Sequence, residues 1–166
     1  ERCSIAKSFG IEVADTSKNH DVISLVDNFT RGRGADAVII AASTESSDLV
    51  SQAATICRKR ARIVLVGVVG LNLNREDFYE KELSFRVSTS YGPGRYDPNY
   101  EEKGQDYPIS YVRWTEQRNF EAVLELMATN KIDVKPLVSM NFQIEKVNEA
   151  YKFLSDSKVL GIILDY

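Results

Sequence analysis

The residues of this chain that could take part in chemistry are small ones, at the ends of two apolar segments. Ala42-Ser43-Thr44 follows the segment Ala37–Ala42, and Val66-Gly67-Val68 closes the segment Ile63–Val69. Ligands of parallel sheets bind beyond the carboxyl ends of the strands, and small residues there let a ligand approach the backbone closely. The pattern therefore predicts a ligand-binding site at these two strand ends.

The side chains that usually carry acid–base or metal chemistry are few and scattered. His20 is the only histidine, and its place at a predicted helix start favours a surface or capping role over that of a general base. Cys57 lies on the inward face of a predicted helix and is expected in the core. We interpret one acidic cluster as a solvated helix face: Glu76, Asp77, Glu80 and Glu82. One histidine and two isolated cysteines cannot form a tetrahedral zinc site, so no zinc is expected in this chain.

The two apolar segments are predicted to be neighbouring strands of a parallel sheet. Both are short, β-branched and bounded by glycine or small residues, as expected of strands that are buried on both faces. Between them one apolar stripe recurs at helical spacing: Leu49, Val50, Ala53, Ile56 and Cys57. Strand, helix and strand in this order form a βαβ unit with a right-handed crossover. The fold class is therefore predicted to be α/β.

Further elements are predicted on both sides of this unit. Helices are expected at residues 1–9, 20–31 (with Val22, Val26 and Phe29 inward), 115–130 (with Thr115 as N-cap) and about 144–154. Strands are expected at residues 11–15, 83–90 and in the closing VLGIILDY. The long connection between them, residues 91–114, carries five tyrosines and one tryptophan. Its composition leaves two readings open, a surface loop stapled by its own aromatic side chains or a loop that contacts a ligand or partner.

Composition is that of an ordinary globular domain, and we assign residues 1–166 to one domain. Apolar residues make up 43% of the chain, and no apolar run approaches the roughly 20 residues that span a bilayer, so membrane insertion is not expected. The net charge of −3 argues against a nucleic-acid partner. Two cysteines without C-x-x-C spacing indicate a reducing compartment, and we predict a cytoplasmic location.

Four segments together resemble the medium-chain, zinc-type alcohol dehydrogenase family: GADAVIIAAS, RIVLVGV, NFQIEKVNEAYKFL and GIILDY. They occur in the family's order, and the resemblance covers essentially the whole chain, as the later part of a Rossmann cofactor domain. It implies NAD or NADP as cofactor and hydride transfer to or from a carbonyl or alcohol carbon. The segment GRYDPNYEEKGQDYPISYVRWTEQRN is similar to two-domain oxidoreductases associated with bacterial surface-polysaccharide synthesis, which suggests a nucleotide sugar or related polyol as substrate.

The resemblance also implies which residues contact the cofactor, whereas it assigns no catalytic residue to this chain. Arg2 would lie beside the adenosine ribose, and Ala41 and Ala42 would lie beside the nicotinamide-side ribose. Residues at the ends of the next two strands would present backbone groups to the nicotinamide: Val66, Gly67, Val68, Thr89 and Tyr91. Gly161 stands where the family often has a basic residue that reaches the pyrophosphate.

Several parts that the resemblance implies are not among these 166 residues. The first βαβ unit with its glycine-rich phosphate loop, and an amino-terminal catalytic domain with the zinc ligands, would precede Glu1. In the polysaccharide branch a second oxidoreductase domain would follow Tyr166. Because pyrophosphate affinity comes largely from that loop, we expect the chain alone to bind nicotinamide cofactors weakly or not at all and to be inactive. A structural, subunit-association module is therefore the alternative function.

Subunit association is predicted through the strand Leu83–Ser90. Its apolar residues Leu83, Phe85 and Val87 alternate with polar ones, and no proline interrupts it. So regular an edge strand is open to antiparallel pairing across a two-fold axis, and the resemblance implies a homodimer of this kind. The alternative is a monomer whose edge is shielded by the tyrosine-rich loop. By the family's strand order, the strand Ala37–Ala42 would also be left at an edge.

Overall fold

The computed structural model describes residues 2–166, in two compact units. The first unit contains the residues up to 13 and those from 117 onward, and the second contains residues 14–116. The α-helices are α1 (Arg2–Ser8), α2 (Val22–Thr30), α3 (Asp48–Ile56), α4 (Arg75–Tyr79), α5 (Pro98–Glu101), α6 (Glu116–Ala128) and α7 (Val147–Ala150). The strands are β1 (Ala35–Ile40), β2 (Cys57–Leu65), β3 (Ser84–Val87), β4 (Val138–Gln143) and β5 (Gly161–Asp165). Single 3₁₀ turns cover Thr16–Lys18, Lys135–Leu137, Ile144–Lys146 and Tyr151–Phe153.

The second unit is built on a parallel sheet of three strands in the order β1-β2-β3. Ile63, on the middle strand β2, is the partner of both Val38 on β1 and Phe85 on β3. Helix α3 connects β1 to β2, which confirms the predicted βαβ unit and the α/β fold class. β1 and β3 are the edges of this sheet, as expected from the sequence.

The core of this unit lies between the sheet and α3. Ile63 is fully buried, and the side chain of Val50 on α3 is 1% exposed. The other buried members of the core are Ile40, Ala53, Ala54, Cys57, Ala61, Leu65 and Val69. The rings of Phe78 and Phe85 meet edge to face at 5.9 Å and extend the core towards α4 and β3. The side of the sheet that packs against α3 is buried, as the apolar runs predicted. The prediction that both faces are buried is wrong for β1, because its Ile39 is 70% exposed.

A bulge opens the amino end of β2. Ala35 pairs with Cys57 and Ala37 pairs with Arg62, so one residue of β1 faces a four-residue segment, Arg58–Ala61. Arg60 adopts a left-handed conformation with φ of 58°, and its amide donates to the Lys81 carbonyl at 2.7 Å. Its guanidinium also contacts Glu82 at 2.8 Å. The bulge is therefore held by specific contacts.

In the first unit, β4 and β5 form a parallel pair, and Ala150 of α7 is buried. Helix α1 ends as predicted at Gly10, which has a φ of +76°. The Ile11 amide donates to the Ala6 carbonyl at 3.3 Å, and the Gly10 amide donates to the Lys7 carbonyl at 2.9 Å. These two bonds form the Schellman motif, in which glycine is favoured because its φ is positive.

Several local predictions are wrong. Residues 11–15 form no strand, and the predicted last helix is divided into a 3₁₀ turn, the short α7 and a second 3₁₀ turn. Phe29 of α2 is 71% exposed rather than inward. Thr115 is fully buried, and its hydroxyl has no hydrogen-bond partner among the described residues, so it does not cap α6. β2 begins six residues before the predicted strand, since Cys57 starts the strand instead of lying within the helix.

None of the helices in residues 2–166 has the length and apolar character required to cross a membrane.

Lys81 closes the carboxyl end of α3, where helix carbonyls lack intrahelical partners. Its ammonium donates to the carbonyls of Ala54, Thr55 and Cys57 at 2.9, 2.7 and 2.9 Å. We expect Lys81→Met to lower the free energy of unfolding by about 1–3 kcal/mol, because hydrogen bonds from a charged donor are lost. Urea denaturation measures the change. Lys59→Met is the control, since no hydrogen bond within the described chain engages the Lys59 ammonium. Equal losses in both variants would contradict this role of Lys81.

Candidate cofactor site

The carboxyl ends of β1 and β2 stay paired beyond the regular strands. The amides of Val66 and Gly67 both donate to the Ile40 carbonyl at 2.9 Å, and the Val68 amide donates to the Ala42 carbonyl at 3.0 Å. Ser43 and Val68 then form a further parallel bridge. The two predicted ligand-contacting segments therefore lie side by side.

The end of β3 joins the same edge. The Ser88 amide donates to the carbonyl of Leu65, the last residue of β2, at 2.8 Å. Thr89 follows and is exposed. The parallel register thus brings the three strand ends together at one edge, which we call the carboxyl edge, defined by residues 41–44, 66–70 and 88–89.

Gly67 is required at this edge by the close approach of the two strands. A Cβ atom there would lie 2.0 Å from the Ala42 carbonyl oxygen and 2.9 Å from the Ala42 carbonyl carbon. Gly70 is in a similar position, since its Cβ would lie 2.3 Å from the Glu45 carbonyl oxygen. Packing alone explains the glycine at position 67, and its contact with a nicotinamide stays a prediction.

The outward side of the carboxyl edge is apolar and open. Val66 is 58% exposed and Val68 is 74% exposed, and Ala41 and Ala42 are exposed as well. Exposed aliphatic side chains beside small ones offer a flat, accessible surface for an aromatic ring. Six of the residues predicted to contact a cofactor are therefore at one edge: Ala41, Ala42, Val66, Gly67, Val68 and Thr89.

The backbone donors of this edge are already used within the sheet. Because the amides of Val66, Gly67 and Val68 donate to β1 and its extension, a ligand would meet the side chains and carbonyl oxygens of these residues. The Val68 carbonyl also accepts a hydrogen bond at 2.9 Å from the amide of Thr44. The predicted contact of backbone groups with a nicotinamide could use the carbonyl oxygens, whereas contact through the three amides would require those bonds to open.

Tyr91 is engaged by the loop that follows β3. Its hydroxyl donates to the Glu101 carboxylate, which also accepts a hydrogen bond from the Arg95 guanidinium at 2.5 Å. The bond to Glu101, with burial as a further cause, raises the pKa of Tyr91. The bonds from Tyr91 and Arg95 lower the pKa of Glu101. The Tyr91 phenol is therefore part of an internal network, and its contact with a cofactor stays a prediction.

Aromatic stacking completes this loop. The Tyr100 ring lies between the rings of Tyr91, at 6.4 Å, and Tyr107, at 5.8 Å. The Tyr107 hydroxyl donates to Asp97, and this bond lowers the pKa of the Asp97 carboxyl. Asp97 also accepts from the Asn99 amide at 2.9 Å and so caps α5. These contacts support the reading of a loop stapled by its own side chains, while Tyr96 in the same loop is 74% exposed.

The remaining candidates lie elsewhere. Arg2 is an exposed residue of α1 in the first unit, and its cofactor role stays a prediction. His20 accepts a hydrogen bond at its Nδ1 from the Asp15 amide at 3.1 Å, a local contact that fits a surface role. Cys57 is 3% exposed, and burial raises the pKa of its thiol. No group of histidine, cysteine and acidic residues within positions 2–166 is arranged to hold a metal ion.

Sequence reasoning missed a cluster of basic residues at the opposite, amino end of the sheet. It is formed by Arg33, before β1, by Arg58 and Lys59 in the bulge of β2, and by Lys81, before β3. The signal was present as the segments RGRG and RKRAR, each at the start of a strand.

Comparison with known proteins decides the family. The family profile described as zinc-binding dehydrogenase matches residues 1–105, more than half of the chain. The chain belongs to the zinc-binding dehydrogenase family. A sorbitol dehydrogenase of Halalkalibacterium halodurans is 24% identical over an alignment of 166 positions, which covers 98% of this chain and 41% of that protein. The chain therefore spans about two fifths of the length of this sorbitol dehydrogenase.

Solved structures agree on the fold. Alcohol dehydrogenase TADH from Thermus sp. ATN1 superimposes with a TM-score of 0.71 at 19% identity, over 98% of this chain and 40% of that one. The 2R,3R-butanediol dehydrogenase from Bacillus subtilis gives a TM-score of 0.71 at 20% identity, with the same coverage. The predicted α/β fold of the Rossmann type is thereby confirmed.

We expect Gly67→Ala to lower the free energy of unfolding by about 1–3 kcal/mol, because its new methyl group overpacks against the Ala42 carbonyl. The control is Val68→Ala, which truncates a side chain that is 74% exposed at the same edge and should change stability by at most about 0.5 kcal/mol. Urea denaturation of both variants measures the difference. A Gly67→Ala protein as stable as the unmodified chain would show that the strands can separate here at no cost.

Proposed function

We propose that this chain is the cofactor-binding portion of an NAD(P)-dependent oxidoreductase of the zinc-binding dehydrogenase family. The observation that carries the proposal is the meeting of three strand ends at an apolar, open edge, where ligands of parallel sheets bind. When bound, a nicotinamide cofactor supplies hydride transfer to or from a carbonyl or alcohol carbon. The residues of this chain orient the cofactor and exclude water from one side of it.

The exposed residues of the carboxyl edge have different roles in orienting the cofactor. Val66 and Val68 provide aliphatic side chains on which a flat ring can lie. Ala41 and Ala42 leave room beside the end of β1 because they carry only a methyl group. Thr89 adds a hydroxyl beyond β3, and Arg2 and Tyr91 remain proposed cofactor contacts.

For the substrate of the whole enzyme, we propose an alcohol or polyol. The relatives and neighbours named above are a sorbitol, an alcohol and a butanediol dehydrogenase. A nucleotide sugar, a role in surface-polysaccharide synthesis and a second oxidoreductase domain rest only on the loop sequence and stay predictions. The choice between NAD and NADP and the cytoplasmic location also stay predictions.

Saturation-transfer NMR with NADH tests the proposed function on the chain itself. We expect saturable signals from the nicotinamide protons with a dissociation constant near 1 mM, about −4 kcal/mol. Ala42→Phe should weaken binding about tenfold, because the ring fills the space beside β1. Asn119→Phe, which adds the same ring to an exposed position of α6, is the control. Saturable binding that Ala42→Phe leaves unchanged, or that the two variants weaken equally, would contradict the proposal.

A second candidate function, subunit association through β3, has a specific structural basis. β3 is an edge of the three-stranded sheet. Because the Ser88 amide donates to Leu65 on β2, strand alternation directs the Phe85 and Val87 amides away from β2. Val87 is 52% exposed. An unpaired row of backbone groups on an exposed strand is a template for a second copy of this chain.

Val87→Pro distinguishes the proposed dimer from a monomer. The substitution removes an outward-directed amide and leaves the bonds to β2 intact, so the fold should persist while a dimer dissociates. We expect light scattering to show a dimer for the unmodified chain and a monomer for Val87→Pro. Val87→Ala keeps the amide and should remain dimeric. A monomeric unmodified chain, or a dimeric proline variant, would exclude this interface.

A further inference from the structure

The amino end of the sheet carries a cleft whose charge the proposed function does not use. It has a volume of about 280 Å³. Its charged lining residues, among those described, are Arg33, Arg58, Lys59, Lys81 and Asp27. Four cations and one carboxylate thus meet in one cleft of a chain whose net charge is −3. Like charges brought together raise the free energy of the folded state unless an anion balances them.

Two of the four cations have structural roles. Lys81 donates to three carbonyls at the end of α3. The Arg58 guanidinium donates to the Asp36 carboxylate at 2.6 Å and to the Lys59 carbonyl at 2.7 Å. The bond from Arg58 and its charge, with the charge of Arg33, lower the pKa of Asp36.

The other two cations, Arg33 and Lys59, keep side-chain nitrogens that make no hydrogen bond within the described residues. The Arg33 side chain donates from Nε to the Thr30 carbonyl at 3.2 Å, and within the described residues its terminal nitrogens make no hydrogen bond. Across the same residues, no hydrogen bond or ion pair engages the Lys59 ammonium. Both residues line the cleft, so their side chains can reach an anion there.

The backbone keeps these groups in place. Lys59 lies in the bulge of β2, which the contacts of Arg60 with Lys81 and Glu82 hold. Gly34 lines the cleft with a φ of +82°, and a Cβ there would lie 2.7 Å from the Arg58 amide nitrogen. The backbone just before β1 and the bulge of β2 are therefore in direct contact. Such bulges often direct side chains towards a site.

We propose that this cleft is a binding site for a phosphate-type oxyanion, held by Arg33 and Lys59 with additional positive charge from Arg58 and Lys81. Guanidinium and ammonium donors make strong, charge-assisted hydrogen bonds to phosphate. The volume is near the lower limit of small-molecule sites, about 300 Å³, and so suits a phosphate or a small phosphate ester. The site is at the opposite end of the strands from the carboxyl edge, and it does not depend on the proposed function.

Titration of the full chain with inorganic phosphate at constant ionic strength tests the proposal, with calorimetry as the readout. We expect saturable binding, weakened about tenfold by Arg33→Gln and by Lys59→Gln, since each removes one charge-assisted contact. Lys103→Gln is the matched control, because it removes a cation of the same unit that lies outside the cleft and bonds to Asn99. Thermal melts establish that all three variants fold.

The three variants distinguish a specific site from general attraction of anions. The site is supported if Arg33→Gln and Lys59→Gln both weaken phosphate binding and Lys103→Gln does not. Parallel titration with glycerol phosphate identifies the source of the oxyanion: equal affinity supports free phosphate, and higher affinity for the ester supports a phosphorylated metabolite. No saturable binding of either compound, or an equal loss in Lys103→Gln, would overturn the proposal.

Discussion

The close approach of Gly67 to the Ala42 carbonyl is the constraint on which the rest of the site depends. A Cβ atom at 2.0 Å from that oxygen cannot be accommodated, so only glycine allows the ends of β1 and β2 to remain paired. That pairing aligns Ser43 with Val68 and holds the start of the connection to α3. Without this pairing, the small residues that follow β1 would form an ordinary loop rather than part of the carboxyl edge.

The two ends of the same strands have different chemistry. The carboxyl edge exposes alanine and valine side chains, whereas the amino end gathers arginine and lysine. Parallel pairing produces this difference because it places all strand beginnings at one end and all strand endings at the other. A neutral edge suits a nicotinamide ring, and a basic cleft suits an oxyanion. The two binding sites that we propose therefore lie at opposite ends of the same parallel sheet.

The elements that the sequence predicts well are those whose patterns need no distant partner. The β-branched runs of β1 and β2 and the apolar stripe of α3 are of this kind, and so is the glycine stop after α1. Residues 11–15 also have a strand-like composition, but a strand exists only where a neighbour pairs with it, and strand propensity cannot supply one. Thr115 has the residue type of an N-cap, yet burial leaves its hydroxyl without a hydrogen-bond partner in residues 2–166.

The candidate site follows the same rule. The meeting of its strand ends was predictable, because strand ends can be read from the apolar runs. The engagement of the Val66, Gly67 and Val68 amides was not, since it depends on the register of β2 against β1. The amino-end cleft was missed because Arg33, Lys59 and Lys81 are far apart in sequence and meet only through the parallel sheet.

Amide chemical-shift mapping with NADH, over every assigned residue, would show where a nicotinamide cofactor binds this chain. Binding at the carboxyl edge should give the largest shifts at Ala41, Ala42, Val66, Gly67, Val68 and Thr89. If the largest shifts instead occur at Gly32–Gly34 and Arg58–Ala61, the cofactor binds at the opposite end of the sheet, which would contradict the proposed site.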